Sequence, residues 1–170
     1  MSLLPPAYAL DAPLSELRTA EILIVATVRL WALRHMEPEA GHPDWRGGLA
    51  VAGADADAIA SFGGLLAIIA AVPRRPLDVR CTCCQTLGAD EGRFLQAIGF
   101  LQRDLRQSAG EIMADWLPPA ALRIAMAAAH ALAAALARCD LILPARCPTA
   151  DRLRAAAAPA CADPGLARVQ

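Results

Sequence analysis

The chain has 170 residues, a length that suits one domain with a sizeable core. It carries 16 basic and 17 acidic side chains for a net charge of −1, and every basic residue is arginine, interspersed with Asp and Glu. That balance, with only 3 Trp, 1 Tyr and 3 Phe, argues against a nucleic-acid binder, which needs a clustered basic face and aromatic platforms.

Apolar residues make up 56% of the chain, and the excess is 40 Ala and 24 Leu against 6 Val and 9 Ile. Ala and Leu favour helix, and the scarcity of β-branched residues disfavours strands. Residues 1–13 read as irregular and lack the layout of a signal peptide, which predicts a cytoplasmic protein. In that compartment six cysteines are expected to be reduced or metal-bound rather than paired.

A first helix runs from about Leu14, capped by Asp11 or Ser15, to about Met36, with Leu17, Ala20, Ile24, Val28 and Trp31 as its buried stripe. Within it residues 22–33 are nearly all apolar, but this stretch of 12 carries Arg29 and falls short of the ~20 residues a membrane span needs. Residues 37–48, with Pro38, Gly41, Pro43 and Gly47-Gly48, read as a loop.

A second helix starts near Ala50 or after Asp55 and Asp57 and ends at Val72. Residues 58–72 hold no charge, which predicts a helix buried all round at the centre of a bundle; the small Ser61-Phe62-Gly63-Gly64 patch would admit a close neighbour. A membrane-peripheral helix ending at Arg74-Arg75 is the alternative, and it is not favoured. Pro73 and Pro76 stop the helix.

A third helix opens with Asp90 and Glu91 in its first turn and shows Phe94, Leu95, Ile98, Leu101, Leu105 and Ala109 on one face. It either continues to Trp116 or restarts near Gly110, where Ser108 and Glu111 have capping-box spacing. Pro119 begins a fourth helix to about Arg138, lined by Leu122, Met126, Ala129, Ala133 and Leu136. From Pro144 onward large apolar groups are few; a mobile tail is predicted, with helical character only at residues 151–158. The fold class is therefore all-α, an irregular or up-and-down bundle of about four main helices. Residues 1–143 form the helical domain and 144–170 the tail. A homodimer would help so Ala-rich a bundle bury enough surface.

The candidate site is Cys81-Thr82-Cys83-Cys84, in the loop entering the third helix. A helix N-terminus and the adjacent Arg80 both favour thiolate, the form that binds metal and attacks electrophiles. As metal ligands, Cys81, Cys83 and Cys84 would hold zinc or another thiophilic metal such as Cu(I), with a fourth ligand from Cys139, Cys147 or His42; His35 and His130 are further candidates. Successive cysteines in the run are separated by one residue and by none, against the two-residue gap typical of structural zinc sites. As redox groups the same thiols would sense oxidants or exchange disulfides, although a vicinal Cys83–Cys84 bridge would be strained, and no βαβ setting points to a thioredoxin-like enzyme. As packing groups they would simply fill the bundle's end.

Cys161 reads as an idle thiol, His35 as a helix-end cap and His130 as a solvent-edge residue. His42, beside Asp44, could serve the cluster as a base only if the fold brings them together. Asp90 and Glu91 point about 100° apart and suit the helix dipole better than paired acid–base work. Neither a phosphate loop nor a nucleophile elbow is present.

The order of an Arg-bearing apolar helix (Leu23 to Arg34), an apolar helix ending in Arg74-Arg75-Pro76, the Cys81–Cys84 turn and Ala89-Asp90-Glu91 resembles small alphaproteobacterial proteins classed as domains of unknown function. The resemblance covers about residues 20–106, and it implies no catalytic residue. Three functions follow from the residues themselves. The first is a non-enzymatic helical protein whose Cys turn binds a thiophilic metal. The second is a thiol-redox protein using the same cysteines. The third is a helical interaction module, membrane-peripheral through Leu23–Trp31 or Leu65–Val72, with incidental thiols.

Overall fold

A computed structural model describes residues 7–144 together with Arg146. They form six α-helices: α1 (Thr19–Met36), α2 (Trp45–Val51), α3 (Ala56–Ala71), α4 (Ala89–Leu101), α5 (Arg106–Met113) and α6 (Pro119–Arg138). A single 3-10 turn at Leu14–Glu16 precedes α1, and among the described residues β-pairing is limited to one isolated bridge, Pro13 to Thr86. The fold is all-α, with the Cys turn in the long connector between α3 and α4. Most of the predicted tail, including Cys147, Cys161 and the stretch 151–158, lies outside the described residues.

Two helices go beyond the four expected. Asp44 starts α2 by accepting from the Arg46 amide at 3.1 Å, inside the segment expected to be loop. The expected long third helix divides into α4 and α5, and the break is at residues 102–105, not at Gly110. There Asp104 takes a left-handed conformation (φ 58°) and the Leu105 amide bonds back to the Phe100 carbonyl at 2.9 Å. Asp140 ends α6 the same way, with φ 57° and Leu141 N to Leu136 O at 3.0 Å. This closure usually takes Gly, so an Asp in its place gives little warning in a sequence.

The helix buried on most sides is α4 rather than α3. Ten of its 13 residues are buried, whereas α3 buries only Ala58, Phe62, Leu65, Leu66 and Ile69. The uncharged run on α3 misleads because its remaining positions are mostly Ala and Gly, which expose little apolar surface. The small patch does admit a neighbour: a Cβ on Gly63 would sit 3.1 Å from the Trp45 ring of α2. Trp45 stacks on Phe62 at 5.6 Å, and Phe62 meets Phe94 edge-on at 6.1 Å, linking α2, α3 and α4.

α6 packs chiefly along α3, with Arg138 pairing to Asp55 at 3.0 Å across the antiparallel ends. Among the described residues α6 is the one helix long and apolar enough to cross a membrane by length and composition. Ala125, Ala129, Leu132, Ala133 and Leu136 on it are buried in the core. Arg74 and Arg75 are tied into the fold: Arg74 donates to the Ala114 carbonyl at 3.1 Å, and Arg75 pairs with Asp90 at 2.7 Å and Asp115 at 2.9 Å.

Candidate functional site

The Cys turn is held by two acids in the first turn of α4. Glu91 closes that turn on itself, its Oε2 accepting from the Gly88 amide at 2.7 Å, while Oε1 accepts from the Arg80 amide at 3.1 Å. The same carboxylate meets Arg29 of α1, at 2.7 Å from Nε and 2.8 Å from Nη2. Both side chains are buried, with 2% and 0% exposure. Arg29 spends its other donors on the turn itself, Nη1 to the Cys84 carbonyl at 2.6 Å and Nη2 to the Thr86 carbonyl at 2.7 Å. Two backbone bonds to the N-terminal segment complete the seat: Leu14 N to Gln85 O and Leu87 N to Ala12 O, both 2.8 Å.

Asp90 does the same for the preceding residues. It accepts from both Arg75 terminal nitrogens, the Asp78 amide at 2.7 Å and the Trp116 indole at 2.9 Å. Burial by itself raises the Asp90 carboxyl, but the bonds from Arg75, Asp78 and Trp116 outweigh it and leave the group below its ordinary value. Gly88 lets the connector close tightly, since a Cβ there would fall 2.5 Å from the Asp78 carbonyl oxygen.

Within this seat the Cys84 amide bonds to the Cys81 carbonyl at 3.1 Å, closing a turn that sets the two Cα atoms 5.4 Å apart. That separation suits a disulfide, and Cys81 and Cys84 form one. This differs from the expectation of reduced or metal-bound thiols, and the bridge is not the strained vicinal Cys83–Cys84 one: adjacent side chains diverge, whereas a closed turn brings its first and fourth residues together. Cys83 is exposed and free, its Sγ 3.0 Å from that of Cys81. All three sulfurs lie within 4.8 Å of one another, close enough to hold a metal ion when unbonded, and no histidine or carboxylate among the described residues joins them.

Among the described residues none of the expected fourth ligands joins the three sulfurs. Cys139 donates to the Gly53 carbonyl at 3.2 Å, beside the start of α3, while Cys81 shares a cavity with Ile69 and Ala70 at its end. About fourteen residues of helix, or ~21 Å, separate the two ends. His42 pairs with Glu37 at 3.0 Å, and His130 meets Arg106 at 2.9 Å. His35 stacks on Trp31 with ring centroids 4.8 Å apart and lines the same cavity as Cys81, but it is not among the residues whose ligand atoms cluster there. Cys147 lies outside the described residues.

The positive charges expected to favour thiolate are also engaged. Arg80 pairs with Asp11 and Asp78, both at 2.9 Å, and the α4 N-terminus is occupied by Glu91 and by Asp78, which accepts from the Ala89 amide at 2.8 Å. What sequence reasoning missed is Arg29 and the specific role of Glu91. The signal was a lone guanidinium in the middle of an apolar helix, which has to find a buried anion. No family model matches the chain, and no match appears among curated proteins or solved structures.

Glu91→Gln leaves the Arg29 charge buried without its counter-ion and is expected to cost about 3–5 kcal/mol in urea unfolding. Arg29→Met combined with Glu91→Leu should recover most of that loss. A single-variant loss under about 1 kcal/mol would mean that water solvates the pair.

Because Asp90 is depressed in the fold, its contribution is whole above the ordinary carboxylate value of about 4 and fades as pH falls through the lower folded value. Asp90→Asn is therefore expected to flatten the decline in unfolding free energy between about pH 5 and pH 2. Parallel curves for the two proteins would contradict this.

Proposed function

We propose that the Cys81-Thr82-Cys83-Cys84 turn is a thiol–disulfide exchange site presented on a rigid helical seat. The observation that supports this is the position of Cys81 between two sulfurs, bonded to Cys84 and 3.0 Å from the free Cys83. A Cys83 thiolate attacking Cys81 Sγ forms the Cys81–Cys83 bond and releases Cys84 as thiolate, with no net change in oxidation. An external low-molecular-weight thiol follows the same path. Its thiolate bonds to Cys81 Sγ, Cys84 leaves, and Cys83 then displaces the external thiol. A second external thiol in place of Cys83 carries away both external sulfurs as a disulfide and leaves the site reduced. Cys81 and Cys83 are exposed, so both are accessible to such a reactant.

Peptide mapping of protein equilibrated with a glutathione buffer is expected to find Cys81 bonded to Cys84 or to Cys83. Cys83→Ser should slow release of a labelled thiol from Cys81 by about tenfold, because Cys84 must then resolve alone. Unpaired Cys81 at every buffer ratio, or unchanged release in Cys83→Ser, would refute the proposal.

A second reading is favoured by the mutual approach of all three sulfurs. Once reduced, they would supply three thiolates to zinc or another thiophilic ion, leaving the fourth position open to water or an outside ligand. Ion and disulfide would then compete for the same atoms. Reduced protein is expected to bind about one zinc by elemental analysis and lose it on diamide oxidation or in Cys81→Ser. Equal zinc content in the oxidised protein would exclude these sulfurs as the ligands.

A further inference from the structure

A cavity of about 410 Å³ lies between α1, the end of α3 and the connector residues 77–82. We infer that it is the recognition pocket of the thiol site and takes a small, uncharged, apolar thiol or the corresponding disulfide; the inference rests on the exchange activity proposed above. Its volume is in the range of pockets that enclose small organic molecules. Trp31, Ala32, Ile69, Ala70 and Val79 line it, and Cys81 lines it with them, so a ligand seated there lies against the residue that carries the reactive sulfur.

The charges around the cavity decide the ligand's character. Its two lining arginines are both engaged, Arg29 by Glu91 and Arg80 by Asp11 and Asp78. Among the described residues no Asp or Glu lines it. The lining histidine, His35, lies stacked on Trp31 at 4.8 Å. A charged ligand such as glutathione would lose hydration there and find both guanidinium groups already paired, whereas an aryl or alkyl thiol gains from leaving water. The chemistry balances without another reactant. The ligand's thiolate bonds to Cys81 Sγ, the Cys81–Cys84 bond breaks, and Cys84 leaves as thiolate and takes a proton from water.

The test compares benzyl mercaptan with glutathione as reductants of the oxidised full-length protein, each rate divided by its rate on a linear peptide disulfide. Benzyl mercaptan is expected to be favoured by about tenfold or more. Filling the cavity with Ala32→Trp, or with Ala70→Phe should the first variant not fold, is expected to bring the ratio near one by removing the advantage of benzyl mercaptan. A ratio near one in the unaltered protein, or a ratio that survives both fillings, overturns the pocket and leaves the exchange site standing. If neither thiol opens the bond, the exchange reading fails and the pocket's role fails with it. A leucine-flanked cysteine peptide reacting faster than benzyl mercaptan on the same scale would overturn the small ligand in favour of a protein chain.

Discussion

A guanidinium buried in the middle of an apolar helix has to be neutralised and its donors filled, and the way Arg29 meets that requirement organises the rest. Glu91 supplies the charge, and the carbonyls of Cys84 and Thr86 take remaining donors. One side chain thereby joins α1, the start of α4 and the cysteine turn. A buried pair of this kind contributes little net stability compared with apolar packing of the same shape, but it penalises any arrangement that separates its members. It therefore selects one position for residues 80–88 rather than adding strength to the core. Glu21 repeats the device at the start of α1, accepting from the Arg18 amide, the Tyr8 hydroxyl and Arg146.

The helical class and most of the core were legible because apolar periodicity survives packing. Ile24 and Val28 of α1, and Phe94, Leu95, Ile98 and Leu101 of α4, are buried as their spacing requires. Leu105, counted on the same stripe, is 47% exposed because the helix has already ended. That ending depends on an Asp in a left-handed conformation, a state residue type barely reports. The central position of α4 was hidden for a related reason. Its first turn carries two acids, and charge at a helix start ordinarily marks a solvated end. Here both are buried because arginines from distant segments reach them.

The site was half legible. Three cysteines in four residues could be singled out as reactive from proximity alone, and the fold does bring their sulfurs together. Which sulfurs bond could not be read, because pairing follows from the turn closed by Cys84 N and Cys81 O and from the clamp beneath it. The expected sources of positive charge were named correctly as residues but not as partners, since Arg80 turns to Asp11 and Asp78. Cys139 and His42 failed as ligands for a simpler reason: one lies at the far end of α3, and the other is engaged by Glu37. The connector that carries the cysteines is tied by bonds at Asp78, Arg80, Cys84 and Thr86 to the side chains of Arg29, Asp90 and Glu91, which is what a site needing fixed geometry requires.

If the buried clamp sets the geometry of the cysteines, it must also set how readily they bond. The most direct measurement is the equilibrium of the Cys81–Cys84 disulfide against a reference dithiol, in the unaltered protein and in Arg29→Met/Glu91→Leu with matching near-ultraviolet circular dichroism. Loss of the clamp is predicted to lower the effective concentration of the pair by about tenfold, a shift near 30 mV toward easier reduction. An unchanged equilibrium in a folded double variant would mean that the turn closes by itself and that Arg29 serves only the core.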